Sequence, residues 1–178
     1  SLAYSISATT RPPRQDEEHG REYYFYSRDE YERLVEQDAF HEYFEVHGNY
    51  YGTLKSEIDA KMMAGKDVLL DVDVKGSMKL KEVIPDCTAI FVLPPSMATL
   101  ERRLRERGTD DEEVIRRRLN NAFGEIRMAE KYDYVLINQK LEDTIDNVHK
   151  IIQAQRFRSS RLVVRDPMGS VLSPSPHT

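Results

Sequence analysis

Several residue types are scarce in this 178-residue sequence, and each scarcity excludes a class of protein. Cys87 is the single cysteine, so an internal disulfide is excluded. The five histidines are scattered and have no run of cysteines beside them, so no zinc cluster is visible. No apolar run approaches the roughly 20 residues of a membrane-spanning helix, and no segment resembling a signal peptide opens the sequence. We therefore expect a cytoplasmic protein.

Positive charge is also in deficit. Lys and Arg number 26 against 31 Asp and Glu, which gives a net charge of −5. This balance argues against general nucleic-acid binding but leaves room for a local basic pocket. Hydrophobic residues make up 39% and charged residues 32% of the chain, so a real core lies under a heavily charged surface. The length is typical of one domain.

Three short apolar segments have the composition of parallel strands buried on both faces. They are residues 68–73, 89–93 and 134–138, which are rich in β-branched or aromatic residues and end at a polar residue or a proline. Charged segments between them carry apolar residues at helical spacing, as at Leu100 and Leu104. This alternation predicts an α/β fold, in which ligands bind outside the carboxyl ends of the strands.

The first sixty residues have a different pattern. Short strand-like pieces at residues 23–26 and 44–47 are separated by turns at Gly20 and Gly48, and residues 29–37 have the pattern of a short helix. We predict a small α+β insertion here.

Two arginines three residues apart, Arg11 and Arg14, enclose a pair of prolines. Proline stiffens the loop, so the guanidinium groups lose less entropy on binding, and their forked donors suit phosphate oxygens. Hydroxyl groups of Tyr23 or Tyr51 would complete a phosphate cage. Taken alone, the motif is more typical of a solvated basic turn.

Acidic residues accompany a glycine-rich aromatic segment at residues 48–53, with Glu42 and Glu45 just before it. Carboxylates accept hydrogen bonds from the N1–H and amino group of guanine, whereas adenine offers an acceptor at the matching edge. Such a site discriminates by roughly 10⁴-fold or more, because the wrong base leaves buried groups unpaired. Without the rest of the chain, a Gly-Asn hairpin with surface acids is the simpler interpretation.

Arginines are concentrated around residues 108–113, a Gly-Thr pair followed by four acidic residues. The arginines are Arg102, Arg103, Arg105, Arg107, Arg116, Arg117 and Arg118. Two helices joined at such a turn would form a mobile flap that brings cations to phosphoryl groups. Because glutamates are interleaved, a solvent-facing helix pair with i,i+4 ion pairs is an equally good interpretation.

Asp71 and Asp73 follow the first of the apolar segments, and alternate residues of a strand lie on the same face. Asp73 would read a base, and Asp71 would orient water around a magnesium ion. An Asp-x-Asp pair alone is a weak signal.

Together these segments resemble guanylate kinase, the nucleoside monophosphate kinase that converts GMP and ATP into GDP and ADP in purine nucleotide metabolism. The stretches that carry the resemblance are residues 5–14, 45–53, 70–76 and 93–96, together with the lid-like stretches 103–109 and 116–119. The resemblance covers about residues 4–161. It implies a P-loop-kinase-like α/β domain over residues 1–161, with a GMP-binding insertion at about 5–60 and a lid at about 97–128. We expect the Ser/Pro-rich tail, residues 162–178, to be disordered.

The resemblance also implies a set of site residues. The GMP phosphate is assigned to Arg11, Arg14, Tyr23 and Tyr51, and guanine with its nearby groups to Ser7, Glu42, Thr53 and Asp73. The catalytic lid arginines are Arg103, Arg107 and Arg118, which would reach the ATP phosphates. Asn138 matches an asparagine near the adenine, although the chain continues Gln-Lys where the family usually has Asp-Asp. ATP implies Mg²⁺, which Asp71 would hold through water; neither a nucleic acid nor a membrane is implied, and the oligomeric state is left open.

One departure from the family is serious, because no G-x-x-x-x-G-K-[ST] phosphate-binding loop exists in the 178 residues. By the resemblance, the sequence begins just after that loop, so we expect a truncated or incomplete chain that lacks the first strand, the loop and the first helix. Loss of the strand would leave unpaired backbone groups and an uncovered apolar face. The alternative is a catalytically inactive module that binds GMP or a phosphorylated protein partner. A nucleic-acid binder using the arginine-rich helices is disfavoured by the acidic balance.

Overall fold

A computed structural model describes residues 1–46, 48–108, 111–158 and 168. Three of the sequence predictions include residues outside these ranges: the strand of residues 44–47 at His47, the lid turn at Thr109, and the tail of residues 162–178 except for Met168. The chain divides into two compact units, residues 1–87 and a second unit that begins at Thr88.

The first unit contains six strands and three helices within the described residues. In chain order they are β1 (Leu2–Tyr4), β2 (Ala8–Thr9), β3 (Tyr24–Phe25), α1 (Arg28–Glu36), β4 (Phe40–Val46), β5 (Asn49–Leu54), α2 (Lys55–Met63), β6 (Asp67–Leu69) and α3 (Val74–Val83). Strands β1 and β6 form a parallel pair. The other four form a mixed sheet in the order β3-β2-β5-β4, in which β4 and β5 are antiparallel.

The mixed sheet has α1 packed on one face. Tyr31 of α1 is fully buried, and its ring stacks on those of Phe40 and Tyr50 at centroid distances of 4.6 and 5.5 Å. Ser27 begins the helix with a capping box, because its hydroxyl accepts from the Glu30 backbone N–H while the Glu30 carboxylate binds the Ser27 N–H. The helix predicted over residues 29–37 is therefore present with nearly the same bounds.

The second unit contains two strands and three helices within the described residues, with one 3₁₀ turn. They are β7 (Ile90–Leu93), α4 (Met97–Glu106), α5 (Glu112–Ile126), the 3₁₀ turn Arg127–Lys131, β8 (Tyr134–Ile137) and α6 (Leu141–Arg156). Strands β7 and β8 are parallel, so the helices between them form a crossover connection.

These parallel pairs and crossovers confirm the predicted α/β fold class. All three apolar segments of the sequence contain strands, although β6 ends at Leu69 and leaves the two aspartates beyond its carboxyl end. None of the helices in the described part of the chain combines the length and apolarity needed to cross a bilayer.

Candidate functional site

Glu42 and Thr53 form a buried polar pair on the mixed sheet. They lie opposite each other on β4 and β5, and the Thr53 hydroxyl donates a 2.5 Å hydrogen bond to Glu42 Oε1. Glu42 is only 4% exposed, and its Oε2 atom has no hydrogen-bond partner among the described residues. Burial raises the pKa of Glu42; the hydrogen bond from Thr53 opposes this rise, and the charge of Asp73 adds to it. The pair thus presents an unsatisfied acceptor that a ligand N–H group can fill.

Asp73 is placed beside this pair by the start of α3. It is the N-cap of the helix, and its Oδ1 accepts a 2.8 Å hydrogen bond from the Gly76 N–H. A Cβ at Gly76 would lie 2.8 Å from Cε1 of Phe44, so glycine allows α3 to approach β4 closely. The predicted base-reading acids are therefore brought together, with one Asp73 oxygen occupied by the helix cap.

Arg11 is the centre of a second cluster, at the end of β2. Its guanidinium lies 5.5 Å from the ring centroid of Tyr23, and the Tyr23 and Tyr51 rings are 6.1 Å apart in an edge-to-face arrangement. Partial burial by itself lowers the pKa of Arg11, but contacts with Glu17 and Tyr51 outweigh it and raise the pKa. Three of the four predicted phosphate-binding residues are thus brought together.

Glu17 is a member of this cluster that the sequence did not reveal. Both of its carboxylate oxygens accept 2.9 Å hydrogen bonds from Arg11 Nη2, and Oε2 also accepts from the Arg14 backbone N–H at 2.8 Å. The Arg14 N–H is the largest influence lowering the pKa of Glu17, and Arg11 lowers it further. This carboxylate orients Arg11, while Arg14 itself is exposed at the edge of the cluster. Glu17 stands among other acids in the sequence, so no local signal distinguished it.

Ser7 precedes β2 and is half-buried. Its carbonyl oxygen accepts a 2.9 Å hydrogen bond from the Tyr24 N–H, which fixes it against β3.

Asn138 lies just beyond β8 in the second unit, where ligands of parallel sheets gather. Its N–H donates to the Leu93 carbonyl at 2.7 Å, and its own carbonyl accepts a 2.9 Å hydrogen bond from Arg103. Arg107 is the C-cap of α4 and Arg118 belongs to α5, and both are exposed. Within this unit, the structure therefore joins one predicted lid arginine to the predicted adenine-side residue.

The lid helices also contain the ion pairs of the alternative interpretation. Arg105 binds Glu101 at 2.9 Å and Glu112 at 2.5 Å, and all three side chains are largely exposed. Exposed pairs of this kind contribute little to stability. Arg105 and Arg103 therefore have different partners: Arg105 pairs with glutamates of the lid helices, and Arg103 binds the loop after β8.

A dedicated metal cage is absent from the described residues, which contain no group of three or more potential acidic, histidine or cysteine ligands. Asp71 is exposed beyond β6. The pKa of Tyr4 is raised first by burial of Tyr4 and next by the negative charge of Asp71. The two side chains are therefore close. A single carboxylate fits Mg²⁺ that is held mainly by substrate phosphates and water.

Comparison with known proteins gives one consistent family. The sequence profile described as "Guanylate kinase" matches residues 1–155. Guanylate kinase from Carboxydothermus hydrogenoformans is 41% identical over 165 residues, which cover 93% of this chain and 81% of that protein. Guanylate kinase from a strain of Thermus thermophilus is 45% identical over 161 residues, covering 90% of this chain and 73% of that protein.

A solved structure shows the same relationship in three dimensions. The crystal structure of guanylate kinase from Anaplasma phagocytophilum superposes with a TM-score of 0.75 at 34% identity. The match covers 88% of this chain and 77% of that one. The chain therefore belongs to the guanylate kinase family.

Proposed function

We propose that this chain binds GMP on the mixed sheet and takes part in phosphoryl transfer from ATP to GMP. Membership of the guanylate kinase family supports the reaction. The observation that carries the choice of GMP is the buried Glu42–Thr53 pair with its unsatisfied Oε2 atom.

The base end of the site is suited to guanine. Guanine presents an N1–H and an amino group side by side, and both donate to a carboxylate such as Glu42. Adenine presents an acceptor nitrogen in place of N1–H, which would leave the buried carboxylate unpaired and charged. Ser7 and Asp73 complete the proposed base side.

The phosphate end lies on the same strand. Tyr51 and Thr53 are two residues apart on β5, so their side chains share a face at a spacing of about 7 Å. Tyr51 belongs to the cluster of Arg11 and Tyr23, whose guanidinium and hydroxyl donors suit a phosphate. We assign Arg14 to the same phosphate at the exposed edge.

Transfer from ATP is assigned to the second unit and needs no covalent intermediate. Arg103, Arg107 and Arg118 would neutralise charge on the phosphates, and Asn138 would contact the adenine. Asp71, which belongs to the first unit, would hold Mg²⁺ through water, and that ion would supply further charge neutralisation to substrate phosphates. Rate enhancement would then come from positioning and electrostatics.

Calorimetry with GMP and AMP tests the binding proposal. We expect GMP to bind at least about 100-fold more tightly than AMP. Glu42→Gln should weaken GMP by about 2 kcal/mol, which is roughly 30-fold. Glu82→Gln is the matched control, because it neutralises an exposed helix carboxylate that pairs with Lys79. Equal affinity for the two nucleotides would contradict the proposal.

A second function, GMP binding without turnover, is the alternative that the experiment must separate from the kinase reaction. An assay that couples ADP release to a detectable signal separates the two functions. ADP release that needs both GMP and ATP, and that falls in Glu42→Gln, supports the kinase. GMP binding with no ADP release supports the second function.

A further inference from the structure

Ile6 lies where the chain leaves the β1–β6 pair and enters the mixed sheet through β2. Ser5 donates its N–H to the Leu69 carbonyl, in line with the parallel pair β1–β6. Two residues later, the Ser7 carbonyl accepts from Tyr24 and belongs to the mixed sheet. The Ile6 N–H is left between the two hydrogen-bond ladders, and a buried N–H needs an acceptor.

Glu57 of α2 supplies that acceptor. Its Oε1 accepts a 3.0 Å hydrogen bond from the Ile6 N–H, and its Oε2 accepts a 3.1 Å hydrogen bond from the Tyr24 hydroxyl. Lys61, one turn later on the helix, pairs with the same carboxylate. The Glu57 side chain is only 11% exposed, so these partners satisfy a carboxylate that is largely removed from water.

Tyr24 connects this carboxylate to the Arg11 cluster. Tyr23 comes just before β3, where successive residues of extended chain point to opposite sides. Tyr24 reaches Glu57, while Tyr23 lies under the Arg11 guanidinium. The ring of His19 packs edge-to-face on Tyr24 at 5.5 Å and braces it. The residue that follows Tyr23 in the chain is therefore anchored on the opposite side from the Arg11 cluster.

We propose that Glu57 is a positioning residue for the phosphate half of the GMP site, an inference that rests on the function proposed above. Its carboxylate holds two segments at once: the chain between β1 and β2, through the Ile6 N–H, and strand β3, through the Tyr24 hydroxyl. It thereby holds Tyr23, and with it Arg11, where the GMP phosphate binds. The hydrogen-bond and ion-pair partners of Glu57 are Ile6, Tyr24 and Lys61, so it would act on the Tyr23 and Arg11 side chains indirectly.

Glu57→Gln and Tyr24→Phe test this role by calorimetry with GMP and with guanosine, which lacks the phosphate. Tyr24→Phe removes only one hydroxyl, so it tests the anchor even where Glu57→Gln folds poorly. We expect each variant to raise the Kd for GMP about tenfold while the Kd for guanosine stays within about twofold. The control Glu82→Gln should change neither. Amide hydrogen exchange at Ile6 should become faster in Glu57→Gln, with or without nucleotide.

The outcomes separate the two proposals. GMP binding equal to wild type in both variants would overturn the positioning role and leave the proposed function standing. Equal losses for GMP and guanosine would also overturn it, because a merely structural defect does not single out the phosphate. Wild-type protein that fails to bind GMP would overturn the proposed function and this inference together. Loss confined to GMP, with faster exchange at Ile6, supports it.

Discussion

In the proposed site, Glu42 would link the affinity for GMP to pH, because its carboxylate would have to be charged to accept the guanine N–H groups and burial raises its pKa. We predict that the Kd for GMP increases as the pH falls through the raised carboxyl pKa of Glu42. Glu42→Gln is the control, since it keeps the titration of the nucleotide phosphate and removes that of the side chain. Parallel pH profiles in the two proteins would contradict the assignment.

Glu42 also makes the stability of the fold depend on pH, but here a lower pH is favourable. A carboxyl group whose pKa is raised on folding stabilises the fold below its unfolded pKa, and this contribution is lost as the pH rises through the folded pKa. We therefore predict that Glu42→Gln increases the free energy of unfolding at neutral pH, where the wild-type fold holds this carboxyl group away from water. Urea unfolding of both proteins at pH values on each side of the transition measures it. A gain in stability that is independent of pH would show another cause.

Tyr31 carries a hydroxyl that is fully buried and has no hydrogen-bond partner among the described residues. Burial is the largest influence raising its pKa, followed by the charge of Glu42. We predict that Tyr31→Phe raises the free energy of unfolding by about 1 kcal/mol, because it removes an unsatisfied polar group while keeping the stacked ring. Tyr43→Phe, at a side chain that is 49% exposed, should be nearly neutral. A stability loss in Tyr31→Phe would mean that the hydroxyl has a partner in solution.

The sequence predicted which residues form the candidate site better than it predicted their hydrogen-bond partners. The chemistry of guanidinium, phenol and carboxylate groups indicated Arg11, Tyr23 and Glu42, and the structure places the first two in contact. Glu17 and Glu57 act through side-chain geometry and are separated by 6 and 51 residues from the groups they hold. Nothing in the local pattern distinguishes such acids from the many that lie on the surface.

At the scale of elements, the middle of β5 tolerates only glycine. A Cβ at Gly52 would lie 2.5 Å from the Tyr31 hydroxyl and 2.8 Å from the Glu42 carbonyl oxygen. We predict that Gly52→Ala lowers the free energy of unfolding by about 2 kcal/mol, because the backbone of β4 must shift. Gly124→Ala is the matched control, and should stabilise by up to about 1 kcal/mol, since that helical site is open.

A double variant tells which clash dominates. Tyr31→Phe in the Gly52→Ala background removes the nearest atom but leaves the Glu42 carbonyl in place. We expect Tyr31→Phe to gain more stability in the Gly52→Ala background than in the wild-type background, as thermal unfolding of the four proteins would show. Full recovery would mean that β4 does not resist the added methyl group.

Strand positions were predictable, and strand lengths were not. Residues 44–46 of the strand predicted at 44–47 belong to β4, which begins at Phe40 and includes an irregularity between Phe40 and Glu42. An extra residue in one strand interrupts the alternation of side chains, so a search for regular alternation stops short of it. The tight turn at Gly48, with φ of +81°, was by contrast visible as a Gly-Asn pair.

For the whole molecule, ligand binding should appear as added stability. We predict that GMP at about 100 times its Kd raises the free energy of unfolding by about 2.7 kcal/mol, and that AMP at the same concentration has little effect. Differential scanning fluorimetry measures the shift. Hydrogen exchange should locate the GMP-dependent protection within residues 1–87. Protection confined to residues beyond Thr88 would contradict the assignment of GMP to the mixed sheet.

The fold class followed from composition because parallel strands buried on both faces are continuous apolar runs. The order β3-β2-β5-β4 did not follow, since it depends on pairings between residues far apart in sequence. Ala8, for example, lies opposite both Tyr24 and Gly52. Long-range pairing of this kind leaves no local periodicity, so the sequence predicted an α+β insertion here without a strand order.

In the proposed GMP site, strand β5 would fix the distance between the residues that bind the base and those that bind the phosphate. Because Tyr51 and Thr53 are neighbours on one pleated face, the gap between the two ends of the site is set by backbone geometry and needs no loop to define it. The two ends could therefore be changed separately. Substitutions at the acidic end, around Glu42, could be used to recognise another purine while the cationic end, around Arg11, is kept. Inserting or deleting one residue between Tyr51 and Thr53 would turn one of the two side chains to the opposite face of the sheet. The two ends of the proposed site would then no longer face the same ligand.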